Sequence, residues 1–201
     1  MKLLASKTSP YARKVRIAFA EKKIDYVLVE QDPWGDDNII GEHNPLGTLP
    51  VLVLEDGTNI YDSRVIVEYI DLVSPVSRLI PEPTRQRILV KRWEALGDGL
   101  LDAAVAARLE MLRPPEQRSE ANVQRQMSKI YTAVDAMARE LGERNWCNGE
   151  NYSLADIATG VSLSYLDLRH PDVAWRESAT NLARHVEKLS RRVSFQHTQP
   201  A

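Results

Sequence analysis

Cysteine occurs once in the 201 residues, at Cys147. A disulfide framework within the chain is therefore impossible, and a metal cluster built on several thiolates is excluded. The opening residues, Met1-Lys2-Leu3-Leu4-Ala5-Ser6-Lys7, hold too short an apolar run for a signal peptide. Nowhere does the chain approach the ~18 uncharged apolar residues that read as a membrane span. Charge of either sign is also lacking: 26 Lys and Arg oppose 28 Asp and Glu, for a net of −2. The first 80 residues carry −3 and the remainder +1. The arginines of the second part are scattered among carboxylates, so there is no footprint for nucleic acid. There is no internal repeat and no low-complexity tract. These absences point to a soluble cytoplasmic protein with no membrane and no nucleic-acid partner.

What is present is an apolar content of 43%, enough for a sizeable core, and a length that suits two small domains. The first 80 residues alternate strand and helix signals. Residues 2–6 read as a short strand. Pro10 suits the first turn of a helix, where its missing N–H costs nothing. Val15, Ala18 and Phe19 continue that helix, which ends near Glu21-Lys22-Lys23. Residues 26–30 form a second strand, parallel to the first because a helix connects them. A polar loop over 32–47 leads to a third strand at 51–54. Asp56-Gly57 then turns the chain into a return strand at 59–61, a hairpin signal. Val65, Ile66, Tyr69, Ile70 and Val73 predict one apolar helical stripe. The order is β-α-β followed by β-β-α.

Pro75, Pro81 and Pro83 mark a linker. Beyond it the pattern is helical throughout. Ile88, Leu89, Trp93, Leu96 and Leu100 predict one face of a long helix that stops at Pro114-Pro115. Val123, Met127, Ile130, Val134, Met137 and Leu141 predict the next, and residues 154–168 and 179–191 two more. The expected division is an α/β domain over 1–80 and an all-helical domain over 86–201.

Three segments carry chemistry. Thr8-Ser9-Pro10-Tyr11-Ala12-Arg13 stands at a strand–helix junction. A helix N-terminus presents unpaired N–H groups and about half a positive charge. A hydroxyl there can hold a thiolate. Lowering a thiol from a pKa of ~8.5 by about two units takes roughly 2.7 kcal/mol of preferential stabilisation of the anion. One charged hydrogen bond of about 1.5–3 kcal/mol plus a helix terminus can supply that. Asn44-Pro45-Leu46-Gly47-Thr48-Leu49-Pro50-Val51 leads into the third strand, where the Leu49 backbone can pair with an extended peptide. Tyr61-Asp62-Ser63-Arg64 opens a helix. Ser63 can cap it above N–H groups that receive a carboxylate, and Asp62 can bind an ammonium. Together these suit a tripeptide with an amino-acid head and a central thiol.

In this order, the segments resemble the glutathione transferase superfamily, over nearly the whole chain. Ser9-Pro10…Val15 is similar to the serine-type active-site helix of the bacterial and theta- or zeta-like members. Asn44-Pro45-Leu46-Gly47-Thr48-Leu49-Pro50 is similar to that family's Asn-Pro-x-Gly-x-x-Pro motif, and Asp62-Ser63 to its acidic-Ser pair. The resemblance implies a thioredoxin-like βαβ-ββα domain followed by an all-helical domain. It implies Ser9 as activator of the glutathione sulfur, with Thr8 a weaker candidate. It implies a cis Pro50, a cysteinyl backbone contact at Leu49, and a γ-glutamyl grip by Asp62 and Ser63. For the glycyl carboxylate, Asn38 and His43 are the candidates. No cysteine lies in residues 8–13, so thiol–disulfide chemistry lacks its nucleophile. The expected activity is conjugation of glutathione to a small electrophile by a homodimer, without metal. The alternatives are a non-catalytic glutathione-binding or regulatory protein of the same fold, and a glutathione-dependent isomerase or dehalogenase.

Candidate contacts to the electrophile are Tyr11, Arg108, Met111, Leu112 and Tyr165. Asn151-Tyr152-Ser153-Leu154-Ala155-Asp156-Ile157 looks like the capping box and hydrophobic staple of a core helix, a folding element. Cys147 reads as a small buried filler beside Trp146, and His170-Pro171 as a helix stop.

Overall fold

In the computed structural model, which describes residues 1–35, 37–76 and 78–200, the chain divides into two compact units. The first comprises Met1–Ile80 together with the chain from Arg191 on, and the second Pro81–Ser190.

In the first unit, β1 (Lys2–Ala5), α1 (Pro10–Glu21) and β2 (Val27–Glu30) are followed by a short α2 (Ile40–His43). Then come β3 (Val51–Val53), β4 (Asn59–Ile60) and α3 (Ser63–Val73). The four strands lie in the order β2-β1-β3-β4. β1 is parallel to β2 and antiparallel to β3, which is antiparallel to β4. This is the mixed sheet of a thioredoxin-like domain. Leu3, Leu4, Val51 and Leu52 are buried in it, and α3 packs against both β3 and α1. The apolar stripe of α3 differs from the expected one. Ile66, Val67 and Ile70 are buried, whereas Val65 and Val73 are 52% and 50% exposed. The buried face also takes in Ser63 and Asp71, which rotates it away from Val65 and Val73.

Asp71 is buried for a reason. Its carboxylate accepts the Lys22 ammonium at 3.0 Å and the backbone N–H groups of Leu79 and Ile80 at 2.7 and 3.1 Å. Lys22 also donates to the Val76 carbonyl at 2.6 Å. A buried charge is tolerated when paired and hydrogen-bonded. This network ties the end of α1 to the chain leaving α3.

The second unit is helical: α4 (Thr84–Leu112), a 3₁₀ turn (Pro115–Gln117), α5 (Glu120–Leu141), α6 (Leu154–Arg169), α7 (Trp175–Ser178) and α8 (Thr180–Ser190). The buried face of α4 is Val90, Trp93, Gly97, Leu100, Leu101, Ala104 and Ala107. Ile88 and Leu89, expected there, are exposed. Close approach of α6 decides the face. A Cβ on Gly97 would stand 3.1 Å from both Cβ and O of Ala158, so small residues line the contact. On α5 the expected stripe holds at Ile130, Val134, Met137 and Leu141. α6 is the central helix, buried around most of its circumference. Its capping box is formed: Ser153 and Asp156 satisfy each other's backbone donors. α7 and the buried Trp175 gave no periodic signal, because one turn is too short to show one.

After α8 the chain rejoins the first unit, where α9 (Val193–Gln196) packs on α1. Residues 191–200 therefore depart from the expected helical domain over 86–201. The reason is polar. Arg192 makes a bidentate pair with Glu21 at 2.8 and 2.7 Å, joined by Ser194 at 2.5 Å. Arg13 and Arg16 donate to the carbonyls of Phe195 and His197, both at 3.4 Å. Among the described residues, no helix is long and apolar enough to cross a membrane.

Candidate functional site

Sheet register brings the three chemical segments together. Leu4 of β1 pairs with Val51 of β3, so the loop after β1 and the residues before β3 leave the same end of the sheet. Leu52 pairs with Ile60, so the residues after β4 leave there too. Ser9, Leu49-Pro50 and Asp62-Ser63 thus cluster at one end of the first unit's sheet.

Ser9 is the N-cap of α1, in extended conformation, with Pro10 at the first helical position. Its Oγ accepts the Ala12 N–H at 3.3 Å. That contact uses the oxygen as an acceptor and leaves its proton available to a ligand. Ser9 is half-buried, whereas Thr8 is exposed and its hydroxyl is bonded to that of Ser6 at 3.0 Å. Ser9 is therefore the better placed of the two.

The segment before β3 is held by Asn44, which the sequence showed as part of a motif without a role of its own. Its buried side chain donates to Thr48 O at 2.9 Å and Thr48 Oγ1 at 3.0 Å, and accepts from Leu46 N at 3.0 Å. Gly47 sits at φ +63°, a left-handed conformation that glycine adopts without strain. The Leu49-Pro50 bond is cis, as is Tyr61-Asp62. His43 is oriented by Asn59, with Nδ1 2.9 Å from the Asn59 Oδ1. Asn38 is committed locally: it donates to Gly35 O at 2.6 Å and accepts from Ile40 N at 3.3 Å.

In the third segment the cap is Asp62 where Ser63 was expected. Asp62, not Ser63, is the N-cap of α3, accepting the Arg64 N–H at 2.9 Å. Ser63 is the first helical residue and is buried. A carboxylate is the stronger acceptor for a helix N-terminus, which explains the exchange.

Of the candidate electrophile contacts, Tyr11 lies on α1 in the first unit and is half-buried. Arg108, Met111 and Leu112 lie on α4 and Tyr165 on α6, in the second. Burial raises the Tyr165 phenol above its ordinary value, opposed by the charges of Arg108 and Arg169. Leu112 is well exposed.

The second unit also contains a group that sequence spacing concealed. Cys147, Asp156 and His185 are all buried, with ligand atoms within 4.8 Å of one another. Burial, then the Asp156 carboxylate, pushes the Cys147 thiol well above its ordinary range. Cys147 is buried, as expected, but its sulfur faces Thr159 and His185.

A sheet of this order, a capped helix beside a cis-proline loop and a following helical unit define a thioredoxin-like domain joined to an all-helical one. The family described as Glutathione S-transferase, N-terminal domain, matches residues 8–73, and its C-terminal domain matches residues 120–188. The GST-like protein YibF of Escherichia coli K12, itself uncharacterized, is 36% identical across 100% of this chain and 98% of its own. A glutathione S-transferase of Methylobacillus flagellatus KT, solved with GSH bound, is 48% identical, with TM-score 0.97 over 100% of this chain and 99% of that one. One of Methylobacterium radiotolerans JCM 2831, in complex with glutathione sulfonate, is 39% identical, with TM-score 0.96 over 99% and 94%. The chain belongs to the glutathione S-transferase family.

Proposed function

We propose that this protein is a glutathione transferase that joins the glutathione sulfur to the electrophilic carbon of a small molecule. The observation that carries the reading is the register-driven convergence of Ser9, Leu49-Pro50 and Asp62-Ser63 at one end of the sheet. The relatives solved with glutathione or its sulfonate support the ligand.

In this reading the Leu49 backbone pairs with the cysteinyl residue. Asp62 takes the γ-glutamyl ammonium, and Ser63 with the α3 N-terminus takes its carboxylate. His43, oriented by Asn59, is the better candidate for the glycyl carboxylate, because Asn38 already serves its own loop. The thiol loses its proton to solvent. Ser9 donates its hydroxyl hydrogen to the resulting thiolate while its oxygen continues to cap Ala12. The sulfur lone pair then forms the new S–C bond, and the displaced electron pair leaves with the departing group or enters the electrophile's π system. Tyr11, Arg108, Leu112 and Tyr165 contact the electrophile. The enzyme acts as a cytoplasmic homodimer, and glutathione is its co-substrate.

The test is conjugation of a chromogenic aryl halide by wild type and Ser9→Ala. Returning the thiol from a pKa of ~6.5 to ~8.5 cuts the thiolate at pH 7 by about 25-fold. The same loss in kcat/KM is expected, with the inflection of its pH profile moved up by about two units and glutathione affinity retained. Equal rates and profiles would remove Ser9 from this role. Glutathione binding without conjugation of any electrophile would favour a binding protein, and glutathione recovered unchanged a cofactor-type isomerase.

A further inference from the structure

We propose that Cys147, Asp156 and His185 form a binding site for a divalent transition-metal ion of the zinc type. Three elements supply it: the loop before α6, the first turn of α6, and the middle of α8. The His185 Nε2 is 3.1 Å from Asp156 Oδ1 and 3.8 Å from Cys147 Sγ.

The arrangement differs from a proton relay. In a relay, thiol and carboxylate occupy opposite nitrogens of the ring, so that the imidazole passes charge between them. Here both approach the same nitrogen. Sulfur, nitrogen and oxygen donors therefore face one point. Zinc takes these three donor types with bonds of about 2.0–2.3 Å, which places neighbouring ligand atoms about 3.3–3.6 Å apart in a tetrahedron. The observed 3.1 and 3.8 Å bracket that spacing. The sulfur and the Asp156 oxygen, within 4.8 Å of each other, close the third edge as the ion binds.

The charge of the ligand set also fits. A thiolate and a carboxylate neutralise a divalent ion, so the loaded site adds no net charge to the interior. Asp156 is anchored by the backbone N–H groups of Cys147 and Ser153, both at 2.8 Å, as outer partners fix metal ligands elsewhere. His185 also borders a cavity of about 210 Å³ whose charged lining is Glu143, Arg144, Arg184 and Lys188. The fourth position falls to water from that cavity or to Thr159, whose hydroxyl is 3.6 Å from the sulfur. Lys188 is engaged nearby, its ammonium 3.7 Å from the Trp146 ring centre and bonded to the Asn145 carbonyl. On binding, the Cys147 thiol gives up its proton to solvent. His185 coordinates through Nε2.

The experiment uses the full chain, stripped with chelator and titrated with cobalt(II) and then zinc(II). One equivalent of cobalt should produce a near-ultraviolet thiolate-to-cobalt band, which zinc should bleach. Zinc, measured against a chromophoric chelator, should raise the Tm of wild type. Cys147→Ser and His185→Asn should each lose the band. Their zinc affinity should fall by more than the about 10–100-fold that loss of an outer partner costs. Glutathione binding and conjugation in Cys147→Ser should be unchanged. A wild-type protein with no such band at excess cobalt overturns the proposal without any variant. So does binding that persists in Cys147→Ser with its native circular dichroism.

Discussion

Asp156→Asn replaces one oxygen of a fully buried carboxylate by an amide of the same shape. The carboxylate accepts the N–H of Cys147 at 2.8 Å, the N–H of Ser153 at 2.8 Å and the Ser153 hydroxyl at 3.2 Å, with His185 Nε2 at 3.1 Å. Oδ1 serves Cys147 and His185, and Oδ2 serves Ser153. Whichever oxygen becomes NH₂ meets a backbone N–H head-on, so one buried donor loses its partner in either orientation. That costs about 1–3 kcal/mol, and the bonds that remain lose their charge assistance, worth roughly another 1–2 kcal/mol. The sum is about 2–5 kcal/mol, a large part of the ~5–15 kcal/mol that holds a typical protein folded. At about 2–4 °C per kcal/mol for a chain of this size, Tm should fall by roughly 4–20 °C. Thermal unfolding followed by circular dichroism measures it. Ser153→Ala removes only the hydroxyl half of the box and should cost about 1 kcal/mol. A Tm change under about 2 °C for Asp156→Asn would refute the premise that this carboxylate holds the α6 entrance to the loop before it.

Asn44→Ala deletes three bonds that hold residues 44–48. Glutathione affinity should fall by about tenfold or more, at about 1.4 kcal/mol per tenfold, as calorimetry would register. Arg13 is buried beside Arg16, and desolvation, then that neighbouring charge, lowers it from its ordinary value to about 10. A lowered cation is a cost carried at every pH below its folded value, so it is fully present at pH 7. Among the described residues it is offset by a 3.4 Å bond to Phe195 O and by the Phe195 ring at 5.8 Å. Arg13→Met should therefore leave stability to urea unchanged or raise it by about 1–2 kcal/mol, and a loss above 1 kcal/mol would contradict that. Glu110 accepts from Ser119 N at 2.7 Å and Asn122 at 3.2 Å. The Ser119 bond leads in holding it below its ordinary 4.5. Its contribution is in place above the unfolded value and is lost as pH falls through the folded one. In urea titrations from pH 6 to pH 3, Glu110→Gln should be the less stable protein at pH 6, and the difference should vanish towards pH 3.

Much of this molecule is legible from local chemistry. Pro10 after Ser9 marks a capped helix, Asp56-Gly57 a hairpin, and Ser153-Leu154-Ala155-Asp156 a capping box, because each depends on neighbours a few residues away. Ser9, Leu49 and Asp62-Ser63 were readable for the same reason, as signals at element boundaries. The departures arise where distant packing prevails. Gly97 against Ala158 turned the buried face of α4 away from Ile88 and Leu89. The Glu21–Arg192 pair drew residues 191–200 back to the first unit.

By itself, then, the sequence determined which elements form, how their ends are capped and which side chains stand at them, since these follow from hydrogen bonds and steric limits within a few residues. Only the tertiary structure decided that β1, β3 and β4 bring three remote segments to one end of a sheet. It alone set Cys147, Asp156 and His185 around one point. Strand register and helix packing fix distances between residues far apart in the chain, and no spacing along the chain encodes them.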